Sequence, residues 1–173
     1  MFLAFCIAAI AVSAARAQTL KLVPRKASEI ELAAGKRSVI FDLDDALTGT
    51  NGNLPGNPPH RYKVLFTATK DGFFYLVANV RSSSPISNKN APCGGDSPQS
   101  VLWIKADKTL KNRELRSEIY ESCSYSYYDS KVKLTRDRLV IKYRTPSEVN
   151  GFWTTLTYDN LRPEDGLVIA LIR

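Results

Sequence analysis

Histidine is nearly absent from this sequence: His60 is the only one, and cysteine occurs three times, at Cys6, Cys93 and Cys123. A structural zinc site takes four Cys or His ligands, so none is expected. The Gly-rich phosphate loop ending in Lys-Ser/Thr, the dinucleotide fingerprint and the helical zinc-protease motif are missing as well. There is no internal repeat, no stretch that reads as an interdomain linker, and hardly any helical periodicity. The expectation is one domain with no cofactor and no motif that makes it an enzyme.

The one long apolar run lies at the amino terminus. Met1–Val12 is shorter than the roughly 20 residues that span a bilayer, and Ala15-Arg16-Ala17 supplies the small-x-small pattern of signal-peptidase cleavage. Residues 1–17 therefore read as a signal peptide. The chain beginning at Gln18 is expected to be periplasmic or secreted, with no transmembrane segment. Reading Cys6 as a lipoprotein acylation site is rejected, because bulky Phe5 precedes it where a small residue is wanted. Removing residues 1–17 takes away Arg16 and no acid, so the net charge falls from +7 to +6, with 23 Lys and Arg against 17 Asp and Glu.

Cleavage also removes Cys6. Cys93 and Cys123 then have a single possible connectivity, and an oxidising compartment favours their bond. Closing that loop stabilises the fold by roughly 3–4 kcal/mol in the chain-entropy picture.

Residues 18–27 are basic and irregular and read as a loose arm. Beyond them the apolar residues recur mostly with period two, the mark of half-buried strands. Ile30 and Leu32 alternate with Glu29 and Glu31, and Val39-Ile40-Phe41 follows. Residues 44–59 form a loop rich in Gly, Asn and Pro. Runs 61–69 and 73–81 flank Lys70-Asp71-Gly72, a hairpin signal because glycine tolerates the positive φ of the turn. A second polar loop, 82–99, carries Cys93. Strand-like runs follow at 100–106, 131–135, 138–144, 152–158 and 167–172, with turns at Asn150-Gly151 and Asp165-Gly166. Residues 109–120 fit either a helix with Leu115 and Ile119 on one face or a strand, and strand is preferred. Eight to ten short strands predict an all-β antiparallel sandwich or barrel-like domain over residues 18–173. Phe73, Tyr75, Trp103, Tyr143 and Trp153 fall on strands and are expected in core or cross-strand packing.

Two motifs carry candidate chemistry. Val39-Ile40-Phe41-Asp42-Leu43-Asp44-Asp45-Ala46 resembles the first motif of the haloacid-dehalogenase-like phosphatases. That resemblance implies Asp42 as nucleophile and Asp44 as acid/base beside Mg²⁺. It covers about ten residues, has Ala46 where Thr or Val is usual, and belongs to a parallel sheet that the alternating strands do not offer. Asp42, Asp44 and Asp45, with Asn51, are weak candidates for a calcium site, as clustered oxygen ligands. Cys93-Gly94-Gly95-Asp96-Ser97-Pro98 resembles the nucleophile loop of chymotrypsin-like proteases, implying Ser97 as nucleophile and His60 as base. Pro98 stands where that loop has Gly, and a turn anchored by the disulfide explains the same residues. A hydrolase using Asp42/Asp44 or His60/Ser97 is the alternative to a binding module.

The remaining feature is cationic. Lys131, Lys133, Arg138, Lys142 and Arg144 alternate with Val132, Leu134, Leu139, Ile141 and Tyr143. A hairpin about Arg136-Asp137 would put one apolar and one positive face on the two strands. An anion-binding face suits an anionic envelope polymer or an acidic protein surface, while nucleic acid is a poor partner in that compartment.

Phe73-Phe74-Tyr75-Leu76-Val77, Ser84-Pro85-Ile86, Asn90-Ala91-Pro92-Cys93-Gly94-Gly95, Leu102-Trp103-Ile104-Lys105 and Tyr120-Glu121-Ser122-Cys123 span residues 73–123. Together they are similar to small secreted bacterial proteins of uncharacterised function that carry a Cys-Gly-x-Gly turn and a later Ser-Cys. The resemblance implies a bacterial envelope location and no particular activity.

Overall fold

The computed structural model of the chain describes residues 19–26, 28–47, 57–84, 93, 95–145 and 152–172. The predicted signal peptide, the Asn150-Gly151 turn and Asn51 lie outside the described residues. Strands β1 (Leu20–Pro24), β2 (Glu29–Ala34) and β3 (Arg37–Asp42) form a first sheet, and a short helix α1 (Leu43–Leu47) follows. Strands β4 (Asn57–Lys70), β5 (Phe73–Ser83), β6 (Gln99–Asp107) and β7 (Arg113–Glu121) form the second. The third contains β8 (Tyr128–Leu134), β9 (Arg138–Thr145), β10 (Phe152–Asp159) and β11 (Val168–Ile172). Strands adjacent in each sheet are adjacent in sequence and antiparallel, so all three sheets are meanders.

The second sheet is the middle layer, because both of its faces are covered. Phe74, Leu76, Ala78 and Val80 of β5, with Leu102, Ile104 and Ala106 of β6, pack against Ile30, Leu32, Leu43 and Leu47. Tyr75 and Val77, with Val101 and Trp103, pack against Leu139, Ile141, Tyr143, Leu156 and Tyr158. This double burial explains why β5 and β6 read as continuous apolar runs, whereas β2 and β10 alternate. Trp103 pins the third sheet to the middle one: its indole Nε1 donates to the Pro163 carbonyl at 3.2 Å. The aromatic expectation holds for Tyr75, Trp103 and Tyr143, which are buried. Phe73 is exposed beneath the Lys105 ammonium, and Trp153 is half-buried beneath the Arg144 guanidinium.

The all-β sandwich expectation is met, with three layers and eleven strands among the described residues. Residues 109–120 resolve as a tight turn and then β7. The loose arm is a correction. Leu20–Pro24 is paired with β2, Leu20 is only 2% exposed, and it lies opposite Ala34. Leu20 and Leu22 alternate with Lys21 and Val23, a short period-two pattern that the flanking charge obscures. The second correction is α1, a helical turn at the start of the predicted 44–59 loop. Its Leu43 and Leu47 are both buried, and that burial stabilises the turn.

The β4–β5 hairpin sets the geometry of the site. Asp71 and Gly72 both have positive φ, 49° and 82°, the conformation of a two-residue type I′ turn. Away from the turn, β4 carries a bulge between Val64 and Phe66. One inserted residue reverses which face each side chain below it occupies. As a result Arg61 pairs with Arg81, and Tyr62 with Val80.

Candidate functional site

Three of the sequence motifs meet at the end of the middle sheet remote from the Asp71-Gly72 turn. The first is the disulfide. Cys93 and Cys123 are bonded, 30 positions apart in sequence, with Cα atoms 5.5 Å apart. Asp96 reinforces the link: its Oδ2 accepts from the Ser122 hydroxyl at 2.8 Å and the Ser124 amide at 3.1 Å. Burial alone would raise the Asp96 carboxyl. Hydrogen bonds from Ser122 and from the Ser124 and Cys123 amides outweigh burial and hold it below the usual carboxylate range. The acid of the protease-like loop thus serves to tie that loop to the end of β7.

The second motif is the acidic run. Asp42 caps α1, its Oδ1 accepting from the Asp44 amide at 2.9 Å and the Asp45 amide at 3.1 Å. Its other oxygen accepts from the Ser28 hydroxyl. The Ser28 bond, with those amides, lowers the Asp42 carboxyl. Such a carboxylate is the ordinary first-turn cap of a helix. The strand that delivers Asp42 pairs antiparallel with β2, unlike the parallel sheet the phosphatase motif serves. Among the described residues no group of three His, Cys, Asp or Glu is placed to hold a metal ion.

The third is His60. It lies in a second register irregularity of β4, between Asn57 and Arg61, and its side chain has no solvent exposure. Nδ1 lies 2.8 Å from Ser82 Oγ, while Nε2 faces Asp44 Oδ1 at 3.8 Å, beyond hydrogen-bond length. The carboxylate favours the proton on Nε2, which leaves Nδ1 to accept from the Ser82 hydroxyl. Burial lowers the His60 pKa, and Asp44 and Asp42 oppose that shift only in part. Neighbouring Tyr62 is raised by burial, with Asp44 and Asp42 adding to the effect. The serine that meets His60 is Ser82. Ser97 instead lines a cleft of about 200 Å³ together with Arg61, Arg81, Ser82 and Ser83. Sequence reading missed Ser82, Arg61 and Arg81, because the bulge that brings them together has no residue signature.

The cationic residues occupy a separate surface. Register places Lys131 directly opposite Lys142, with Lys133 opposite Val140. Arg138, Lys142 and Arg144 lie opposite Asp159, Thr155 and Trp153 of β10. Leu139, Ile141 and Tyr143 point into the core, so all five cations lie on the outer face of the third sheet. Arg144 pairs with Asp129 at 3.4 Å and sits over the Trp153 ring. Asp159 is engaged by Arg162 and the Leu161 amide. Lys131, Lys133 and Lys142 have no carboxylate within 4 Å among the described residues.

The fold and these two surfaces define a three-layer antiparallel β-sandwich with a cationic outer sheet. No protein-family model, curated protein or solved structure matches the chain. Among the described residues no helix is long and apolar enough to cross a membrane.

Proposed function

We propose that the protein is an exported, non-catalytic binding module of the bacterial cell envelope, and that it holds an anionic envelope polymer on the outer face of its third sheet. The observation that carries this reading is the register pairing of Lys131 with Lys142. Like charges directly opposite on neighbouring strands repel, and an anionic polymer laid across the face relieves that repulsion. Thr155 and Trp153, beside Lys142 and Arg144 on β10, add hydroxyl and aromatic surface suited to sugar rings. The pattern at residues 1–17 supports export, and the Cys93–Cys123 bond is compatible with an oxidising compartment.

The test is binding to anionic envelope polysaccharide and to anionic liposomes at low and high salt. The comparison variant carries Lys133→Ser, Arg138→Ser and Lys142→Ser. Binding should weaken steeply as the Debye length shrinks to about 3 Å at 1 M salt, and the variant should bind poorly at any salt. Equal binding by the variant, or binding indifferent to salt, would refute the reading. Capture by liposomes alone would reassign the partner to anionic lipid.

A further inference from the structure

We propose that the cleft between Arg61 and Arg81 is a second binding site, which takes a compact oxyanion of the phosphate class, free or as the head of a phosphomonoester. The two arginines are a directly opposed pair on β4 and β5, so their side chains leave the same face of the middle sheet. Both are exposed, and neither has a carboxylate within 4 Å among the described residues. Lys63, opposite Asn79, adds a third cation to the same face. An unrelieved pair of this kind destabilises a hairpin. Two guanidinium forks converging on one cleft also match the geometry in which arginine binds phosphoryl oxygens.

The cleft has more than charge. Ser83 and Ser97 bring hydroxyls to its walls, and its volume is about 200 Å³, room for several water molecules at roughly 30 Å³ each. Its walls are held in place independently of any ligand. The Ser82 amide donates to the Pro98 carbonyl at 2.9 Å, which joins the β5 wall to the loop carrying Ser97. The Cys93–Cys123 bond and the Asp96 hydrogen bonds anchor that loop at its other end. A site walled in advance loses little free energy to ordering when it binds.

The site is distinct from the cationic outer sheet, and the experiment separates the two. Titration calorimetry of the protein with inorganic phosphate and with glycerol phosphate at low salt should give saturable binding. Preference between the two separates a free-ion site from an ester-head site. Arg81→Gln should weaken binding about tenfold or more, the expected loss of one charge-assisted contact. Arg61→Gln with Arg81→Gln should abolish it, and Arg81→Lys should fall between, since charge is kept and the fork is lost. Lys131→Ser with Lys142→Ser should bind as the unaltered protein does, whatever becomes of polymer binding. Thermal melts of the arginine variants should be unchanged or raised, because the replaced pair is repulsive. No saturable binding of either ligand at millimolar concentration, or undiminished binding by the doubly substituted Arg61/Arg81 variant, would overturn the proposal.

Discussion

The Tyr143 phenol on β9 donates a 2.8 Å hydrogen bond to Glu118 Oε1 on β7, joining the middle and third sheets through a partly buried acid. Burial raises the Glu118 carboxyl, and the Tyr143 bond offsets this only in part. A carboxyl raised in the folded state binds its proton more tightly there than in the unfolded chain. Stability therefore falls as pH rises from the ordinary carboxylate range through the folded value, and the full penalty is present above it. Glu118→Gln keeps an acceptor for Tyr143 without the charge. It should raise the Tm at neutral pH, with the gain shrinking toward pH 4. Tyr143→Phe should instead cost about 1–3 kcal/mol by leaving the acid buried without its donor. Thermal melts of both variants across pH measure these effects.

Breaking the Cys93–Cys123 bond by a double Ser substitution should cost about 2–5 kcal/mol, measured by urea unfolding. Thiol titration of the unfolded, unreduced protein should find neither cysteine reactive. Asp96, held below the usual carboxylate range, contributes stability that is present above its unfolded pKa and lost as pH falls through its folded one. Asp96→Asn should flatten the acid limb of the stability curve.

His60 should titrate below the ordinary imidazole value of about 6.5, because burial disfavours its cation. As the only histidine, it gives one C2–H proton resonance, which reports the titration directly. A depressed folded pKa means that the contribution of His60 is complete above the unfolded value and declines as pH drops beneath it. His60→Gln, which can still meet the Ser82 hydroxyl, should remove that part of the pH dependence. A resonance that titrates above the ordinary imidazole value would show the ring to be charged and paired with Asp44.

Lys142→Glu turns the repulsive pair with Lys131 into an attractive one. It should stabilise the protein by about 0.2–1 kcal/mol while weakening polymer binding. Opposite signs for stability and binding from one substitution mark a functional surface. A loss of both would mean that Lys142 is structural.

The strands were legible because their periodicity is local. Ile30/Leu32 and Leu139/Ile141/Tyr143 announce buried faces, and Asp71-Gly72 announces its turn. The β1 strand was hidden because Leu20 and Leu22 are too few to stand out among Lys21, Pro24, Arg25 and Lys26. Helix α1 was hidden because its cap, Asp42, stands in a motif that resembles one with a nucleophilic aspartate at that place. Of the candidate residues, Lys131, Lys133, Arg138, Lys142 and Arg144 could be placed together from alternation alone, since all five lie on one hairpin, β8 and β9. The Asp44, His60 and Ser82 grouping could not, because its members come from three elements.

What the sequence determined by itself is whatever depends on neighbours along the chain or admits one solution. That covers strand periodicity, the positions of the turns, and a disulfide between the two cysteines left beyond the signal-like segment. Only the tertiary structure decided that the 73–83 strand lies in a middle layer with both faces buried, since a continuous apolar run fits several architectures. It also decided the partners of His60 and Arg61. Without a bulge, the Asp71-Gly72 hairpin would set Arg61 against Ser82. The residue inserted between Val64 and Phe66 sets it against Arg81, and His60, in the further irregularity between Asn57 and Arg61, meets Ser82. Side-chain direction in a strand has a period of two, so one extra residue exchanges the two faces of everything beyond it.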